Sequence, residues 1–192
     1  MRIIAGKYKR RLVGTVESLE VRPTTDRVRE TVFNLLATRF DFENANVLDL
    51  FAGSGVLGFE AMSRGAQQIT FVEQNMAVAK VLQQSIEQLK VEKESALQKQ
   101  DAMGFLKRTA AVFDLIFCDP PYKSDVHSQV IDLVFSRNLL SERGYLVLEH
   151  HESQVYSEHE KFAFSKAFGI TVVSFFEAVP DGTDEEDADD SL

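Results

Sequence analysis

The sequence predicts an α/β fold: a doubly wound, seven-stranded, mostly parallel sheet of the Rossmann-like kind, with a hairpin-and-helix extension at the amino terminus. Three observations carry that expectation. The stretch Asn46–Gly58, NVLDLFAGSGVLG, runs an apolar strand (Val47, Leu48, Leu50, Phe51) into a glycine-rich turn and leaves through Val56, Leu57 and Phe59 at helical spacing. Strand-length apolar runs then alternate with amphipathic helical segments as far as Glu149. Finally, Lys161–Phe168 and Thr171–Glu177 flank Gly169 with no helix between them, so the last two strands return on each other as an antiparallel edge.

The elements follow in order. Arg2-Ile3-Ile4 and Leu12-Val13 flank a Gly-Lys-Tyr-Lys-Arg turn, a short hairpin carrying its charges outward. Arg22-Pro23 ends the extended part, and Thr24 or Thr25 caps a helix whose apolar face is Val28, Val32, Leu35 and Leu36. Arg22, Arg27 and Arg29 lie beside that stripe, placed to pair with Asp26 and Glu30 or to reach phosphates. In the glycine-rich turn, Gly53 and Gly55 permit positive φ and close approach of a ligand, which the free N–H groups of the helix start would anchor. The spacing is not that of a dinucleotide G-x-G-x-x-G, and no G-K-[ST] follows, so a P-loop is excluded.

The helix Val56–Arg64 is expected to stop at Gly65 as a left-handed cap. The run Gln68–Glu73 ends on an acid 24 residues after Asp49, the place of a ribose-binding carboxylate in a βαβ nucleotide fold. A helix from about Asn75 to Lys90 sets Val78, Val81, Leu82, Ile86 and Leu89 on one face. Asp101 follows the third strand, and Ala102, Phe105 and Leu106 open the next helix. The fourth strand, DLIFCD, closes on Asp119-Pro120-Pro121-Tyr122. Two prolines cannot donate to a sheet ladder, so they end the strand and stiffen the chain. A carboxylate, a rigid turn and an aromatic ring thus stand at the carboxyl edge of the sheet, which in open α/β folds is the binding crevice. Val130, Ile131, Val134 and Phe135 mark one more helix, and Tyr145–Glu149 the fifth strand.

Of the 192 residues, 44% are apolar, which suits one domain over residues 1–180, with 1–40 as the extension and 41–180 as the core. No apolar run reaches ~18 residues, so nothing is expected to span a membrane. The start has no apolar h-region of a signal peptide. The single Cys118 cannot make an internal disulfide, as in a reducing cytosol, and is expected to pack in the fourth strand. A cytoplasmic monomer is the resulting expectation. The net charge of −9 is unevenly spread. Residues 1–31 hold eight Lys/Arg against four Asp/Glu, and residues 181–192 hold seven acids and no base. The tail has too little apolar content to fold and is expected to be disordered. The basic arm is the footprint of a phosphate-contacting surface, with Arg2, Lys7, Lys9, Arg10, Arg11, Arg22 and Arg27 as its candidate contacts. His150, His151 and His159 match no zinc spacing and are expected as exposed loop residues, with no metal.

The combination of DLFAGSG and DPPY resembles the class I S-adenosylmethionine-dependent methyltransferases. RIIAGKYKRR followed by RPTTDRVRETVFN is similar to the RsmD family, which methylates N2 of a guanine in bacterial 16S ribosomal RNA; that likeness extends from about Arg2 to Glu177. The resemblance implies that Asp49, Phe51, Ala52, Gly53, Ser54 and Gly55 surround the methionine part of S-adenosylmethionine. It places Glu73 on the ribose hydroxyls, and Asp101 with Ala102 at the adenine edge. Asp119 and the carbonyl of Pro120 would accept hydrogen bonds from the target amine, while Tyr122 would stack on a base turned out of the RNA helix. The implied partner is ribosomal RNA, in the small subunit or an assembly intermediate. The same tetrapeptide logic also serves adenine N6, and with Asn in its first position glutamine side chains. A non-catalytic assembly factor of the same fold is a third alternative, which the intact DPPY disfavours.

Overall fold

A computed structural model describes residues 1–15, 26–120 and 126–179. Outside the described residues lie Arg22, Pro23, the two candidate caps Thr24 and Thr25, Pro121, Tyr122 and the acidic tail. In chain order the elements are α1 (Asp26–Ala37), β1 (Asn46–Leu50), α2 (Val56–Ser63), β2 (Gln68–Val72), α3 (Met76–Leu89), β3 (Ser95–Gln98) and α4 (Ala102–Arg108). There follow β4 (Phe113–Cys118), α5 (Val126–Ser136), β5 (Leu140–His151), β6 (Phe162–Phe168) and β7 (Thr171–Glu177).

The seven strands form one sheet in the order β3-β2-β1-β4-β5-β7-β6. The first five run parallel, and β7 inserts antiparallel between β5 and β6. The two-residue period of each strand divides the core. Val47, Ile69, Phe71, Leu115 and Phe117 face one way, under Phe33 and Leu36 of α1, Phe59 and Met62 of α2, and Leu82 and Ile86 of α3. Leu48, Leu50, Ile116 and Leu148 face the other, under Leu106 of α4 and Ile131 of α5. From β1 the chain winds outward to β3, then returns to lay β4 against the opposite side of β1. That reversal puts a crevice outside the carboxyl ends of β1 and β4.

The amino-terminal segment is a hairpin, as expected, held by an antiparallel bridge between Arg2 and Leu12 and by Ile3 N–H donating to Arg11 O at 3.0 Å. It buries Ile3 and Val13 and lies along α2, with Lys7 N–H on Ser63 O at 2.7 Å. Gly6 is obligatory there: its φ is +78°, and a Cβ would sit 1.7 Å from Ser63 O.

Three local expectations are corrected. β5 extends well beyond Tyr145–Glu149, because Leu140 already pairs with Phe113 and β7 pairs as far as His151. His150 is therefore a strand residue on the face of Leu146 and Leu148, and is buried, with Nε2 2.8 Å from Ser174 Oγ. Burial lowers its pKa below the usual histidine range, against a hydrogen bond to His151 O that raises it. Finally, Gly65 has φ +127° and is no left-handed helical cap, since α2 ends on Arg64 in a right-handed conformation. The left-handed cap occurs at Lys90 after α3 (φ 59°, ψ 49°).

Candidate active site

The loop from Phe51 to Gly55 holds three residues at positive φ: Phe51 (+56°), Gly53 (+55°) and Gly55 (+72°). Each glycine has its own reason. A Cβ on Gly55 would come within 2.5 Å of Leu82 Cδ1, so the loop needs glycine there to pack on α3. A Cβ on Gly53 would meet nothing closer than Phe51 O at 3.8 Å, so that side of the backbone is open to a ligand. Phe51 has a Cβ in the same region, a conformation that costs roughly 1–2 kcal/mol and collects at functional sites. The surroundings hold it there: Ala52 N–H donates to Val72 O at 3.0 Å, and Gly55 N–H to Ala52 O at 2.7 Å.

Asp49 is 2% exposed and accepts from Gly58 N–H at 3.0 Å, joining β1 to the first turn of α2. Desolvation pushes its carboxyl up to about 8; the Gly58 hydrogen bond opposes that rise and the charge of Glu73 adds to it. Glu73, half-buried just past β2, accepts from Gly53 N–H at 3.0 Å and Asn75 N–H at 2.7 Å. A carboxylate offers about four lone-pair sites, so Glu73 keeps acceptor capacity for hydroxyls. Asp101 is exposed and caps α4, accepting from Gly104 N–H at 2.7 Å, with Ala102 buried behind it.

Leu50 pairs with Cys118, so Asp119 leaves β4 beside the start of the Phe51–Gly55 loop. Asp119 is half-buried and Pro120 buried, and α5 begins at Val126. Burial, with the charges of Asp119 and Asp49, raises the Cys118 thiol well above its usual range, which makes it an inert packing group.

Lys7, Lys9, Arg10 and Arg11 are all exposed on the hairpin, as is Arg27 on α1. Arg2 is exposed and pairs with Asp26 at 3.1 Å. Arg29 is different: its side chain is fully buried and bound to Asp26 Oδ1 at 3.0 Å and Arg2 O at 2.7 Å, so it has no surface for an RNA phosphate.

Two features escape the sequence reading. Glu60, fully buried in α2, accepts from Ile4 N–H at 2.6 Å, Ala5 N–H at 3.1 Å and Arg64 Nε at 3.0 Å, and so clamps the basic arm to the helix that follows the glycine loop. A lone acid inside the apolar run Phe59–Met62 is the one local signal that could have marked it. The second is His127, buried in the first turn of α5, with Nδ1 3.2 Å from Gln154 Nε2. It ties the helix after the tetrapeptide to the β5–β6 connection. Among the described residues, no group of three or more His, Cys, Asp or Glu is placed to hold a metal, and no helix is long and apolar enough to cross a membrane.

Known proteins are similar to this chain in architecture and in sequence. The family described as conserved hypothetical protein 95 matches residues 1–177. The chain is 35% identical over 178 residues to the Haemophilus influenzae ribosomal RNA small subunit methyltransferase D, covering 91% of each. It is 38% identical over 160 residues to the Escherichia coli protein of the same name, covering 83% of this chain and 75% of that one. The solved structure of the Escherichia coli protein yhhF superposes with a TM-score of 0.82 at 32% identity, over 92% of this chain and 97% of that one.

Proposed function

The chain belongs to the conserved hypothetical protein 95 family, the RsmD family, and from that premise we propose that it is an S-adenosylmethionine-dependent ribosomal RNA methyltransferase acting on the exocyclic N2 amine of a guanine in 16S RNA. One observation carries the reading. The register Leu50↔Cys118 puts Asp119 against the glycine loop at the switch point of the sheet, so an acceptor for the amine adjoins a cradle open to a small ligand.

The residues fit the cofactor. The Cβ-free side of Gly53 leaves room at the loop, and Glu73 has lone pairs left for ribose hydroxyls. Asp101 and Ala102 lie beyond β3, where they would line the adenine edge. Phe51, Ala52, Ser54 and Gly55 shape the wall beside the methionine part, and Asp49 holds that wall to α2 from behind. Bound S-adenosylmethionine supplies a methyl group on a sulfonium, electrophilic enough for a neutral amine to take.

The protein's task is alignment. The amine lone pair of guanine is delocalised into the ring, so the site has to turn the nitrogen toward the methyl carbon and accept the positive charge that develops. Asp119 and the carbonyl of Pro120 do both by accepting the two N–H groups, and positioning of this kind supplies on the order of 7–11 kcal/mol. Tyr122 stacks on the flipped base. Lys7, Lys9, Arg10, Arg11 and Arg27 meet phosphates of ribosomal RNA, in the small subunit or a precursor of it. The test is methyl transfer to small-subunit RNA or a partly assembled subunit, read by mass spectrometry of the nucleosides. N2-methylguanine is the expected product; methyladenine or a methylated glutamine would refute the assignment.

A further inference from the structure

The basic turn of the hairpin is a surface whose charge nothing nearby answers. Lys7, Lys9, Arg10 and Arg11 are exposed, and residues 1–15 contain no acid. Among the described residues no carboxylate pairs with any of the four, whereas Arg2, Arg29 and Arg64 each have one. The densest run of acids in the chain is residues 181–192, with seven of them and no base. Ala188 and Leu192 are the only hydrophobic residues of that run, so charge is what it has to bind with.

The fold sets the two at the same edge of the sheet. Ser63, the last residue of α2, holds Lys7 N–H on its carbonyl at 2.7 Å and Tyr8 N–H on its Oγ at 2.8 Å. α2 starts beyond the carboxyl end of β1 and runs back, and just past its end Gln67 N–H meets Ala45 O, ahead of β1, at 2.9 Å. The basic turn therefore stands at the amino edge, opposite the crevice. The last strand finishes there too. Glu177 pairs with Tyr145, Tyr145 with Leu115, and Leu115 with Val47 near the start of β1. Being antiparallel to β5, β7 delivers the chain to the edge where the parallel strands begin.

The gap is within reach. α2 packs on β1 and β2, three to four strands from β7, which is roughly 14–19 Å across the sheet. A helix layer adds about 10 Å. Residues 180–192 continue from there, and a stretch of that length spans on the order of 40 Å when extended. Tethered so near, the acids face the turn at an effective concentration on the order of millimolar. Charge decides the destination, because the opposite edge presents Glu73, Asp101 and Asp119, which repel an acidic segment.

We propose that the acids of residues 181–192 dock on Lys7, Lys9, Arg10 and Arg11 of their own chain, and that RNA has to displace them. The proposal rests on the RNA reading of the hairpin. A run of carboxylates against four cations imitates a run of phosphates, so the contact is an internal competitor. An RNA that brings several phosphates to the turn at once wins the exchange; one that reaches the crevice alone leaves the acids in place. Substrates are thereby sorted at the edge away from the chemistry.

Two measurements on the full chain test this. Carbodiimide cross-linking joins a lysine amine to a carboxylate in contact with it, so Lys7 or Lys9 should be joined to residues 181–192, and added small-subunit RNA should suppress the product. RNA affinity is then compared in a cycle of variants: the tail acids replaced by their amides, the four basic residues replaced by Gln, and both together. At about 50 mM salt the amide tail should raise affinity about fivefold or more on the wild-type hairpin and less than about twofold on the Gln hairpin, and the gain should shrink at about 200 mM. Equal gains on both hairpins would make the tail a general repeller of RNA and overturn the proposal. So would the lack of a cross-link, or one formed only between two copies of the chain. A chain that binds RNA in none of the four forms would instead remove the RNA reading and the competition with it, while the cross-link alone decides the docking.

Discussion

Glu73 Oε2 accepts the backbone N–H of Gly53 at 3.0 Å, so the acid that ends one strand holds the glycine loop that ends its neighbour. Its other oxygen takes Asn75 N–H at 2.7 Å, fixing the carboxylate at the mouth of α3. One side chain thus shapes the loop, and in the proposed cofactor site its remaining lone pairs would also serve the ribose. Glu73→Ala should weaken S-adenosylhomocysteine by about 1.5–3 kcal/mol, the worth of hydrogen bonds to a charged group. Calorimetry reads it directly, and an unchanged dissociation constant would take Glu73 out of cofactor binding.

Asp49 gives the fold a pH dependence whose sign is set by burial. Its folded pKa of about 8 lies above the ordinary 3.8, so between those values the folded chain holds a proton that the unfolded chain has released. The stability this proton confers is complete below pH 3.8 and is lost as pH rises to about 8. Asp49→Asn keeps an acceptor for Gly58 N–H and has no proton to lose. Its stability relative to wild type should therefore climb between pH 5 and pH 9, as measured by urea unfolding at each pH. A difference that stays flat would mean that Asp49 is ionised throughout.

Removing the carboxylate of Glu60 strands two backbone N–H groups and the Arg64 guanidinium. Breaking a buried pair in this way costs about 3–5 kcal/mol. Glu60→Ala should show that loss in thermal or urea unfolding, and proteolysis should cut the freed hairpin first. Wild-type resistance of the hairpin in this variant would show that Ser63 and the buried Ile3 and Val13 suffice to hold it.

How far the sequence reveals this molecule depends on the range of the contacts concerned. The alternating strands and helices, the glycine loop and the acid after β2 are written in local patterns of apolar spacing and turn residues, and the structure reproduces the sheet they imply. The clamp is not local, since Glu60 meets backbone 55 and 56 residues away. His150 is the same kind of case. Beside His151 and Glu152 it looks like a polar loop, and only the pairing of β7 with β5 carries it into the core opposite Val172. Lys90 shows a different limit, because a left-handed cap without glycine or asparagine leaves no mark in the sequence.

The exposed basic turn of the hairpin makes a claim about salt. Each phosphate contact on a duplex contributes about 0.9 to the slope of log affinity against log salt, so replacing Lys7, Lys9, Arg10 and Arg11 with Gln should flatten that slope by up to about 3–4. S-adenosylhomocysteine affinity should stay the same, because these side chains are exposed on a hairpin turn that is held at Ser63, the end of α2 away from the glycine loop. A filter-binding series across salt concentrations measures the slope, and an unaltered value would leave these four residues as mere solubilising charge.

Asp119 separates alignment from binding. It stands beside the loop without being part of it, so Asp119→Ala should leave S-adenosylhomocysteine affinity within twofold of wild type. The acceptor it removes matters most as positive charge develops on the amine, so turnover should fall by about 10²–10³, the typical effect of deleting one group that stabilises transition-state charge. Asp119→Asn keeps an oxygen acceptor but no negative charge, and should fall between the two. Single-turnover methyl transfer to small-subunit RNA gives the rate, and calorimetry gives the cofactor affinity on the same preparations. Should Asp119→Ala transfer methyl at the wild-type rate, the amine is aligned by some other group and the mechanism fails. If its cofactor affinity collapses together with the rate, Asp119 belongs to the cofactor pocket and does no aligning at all.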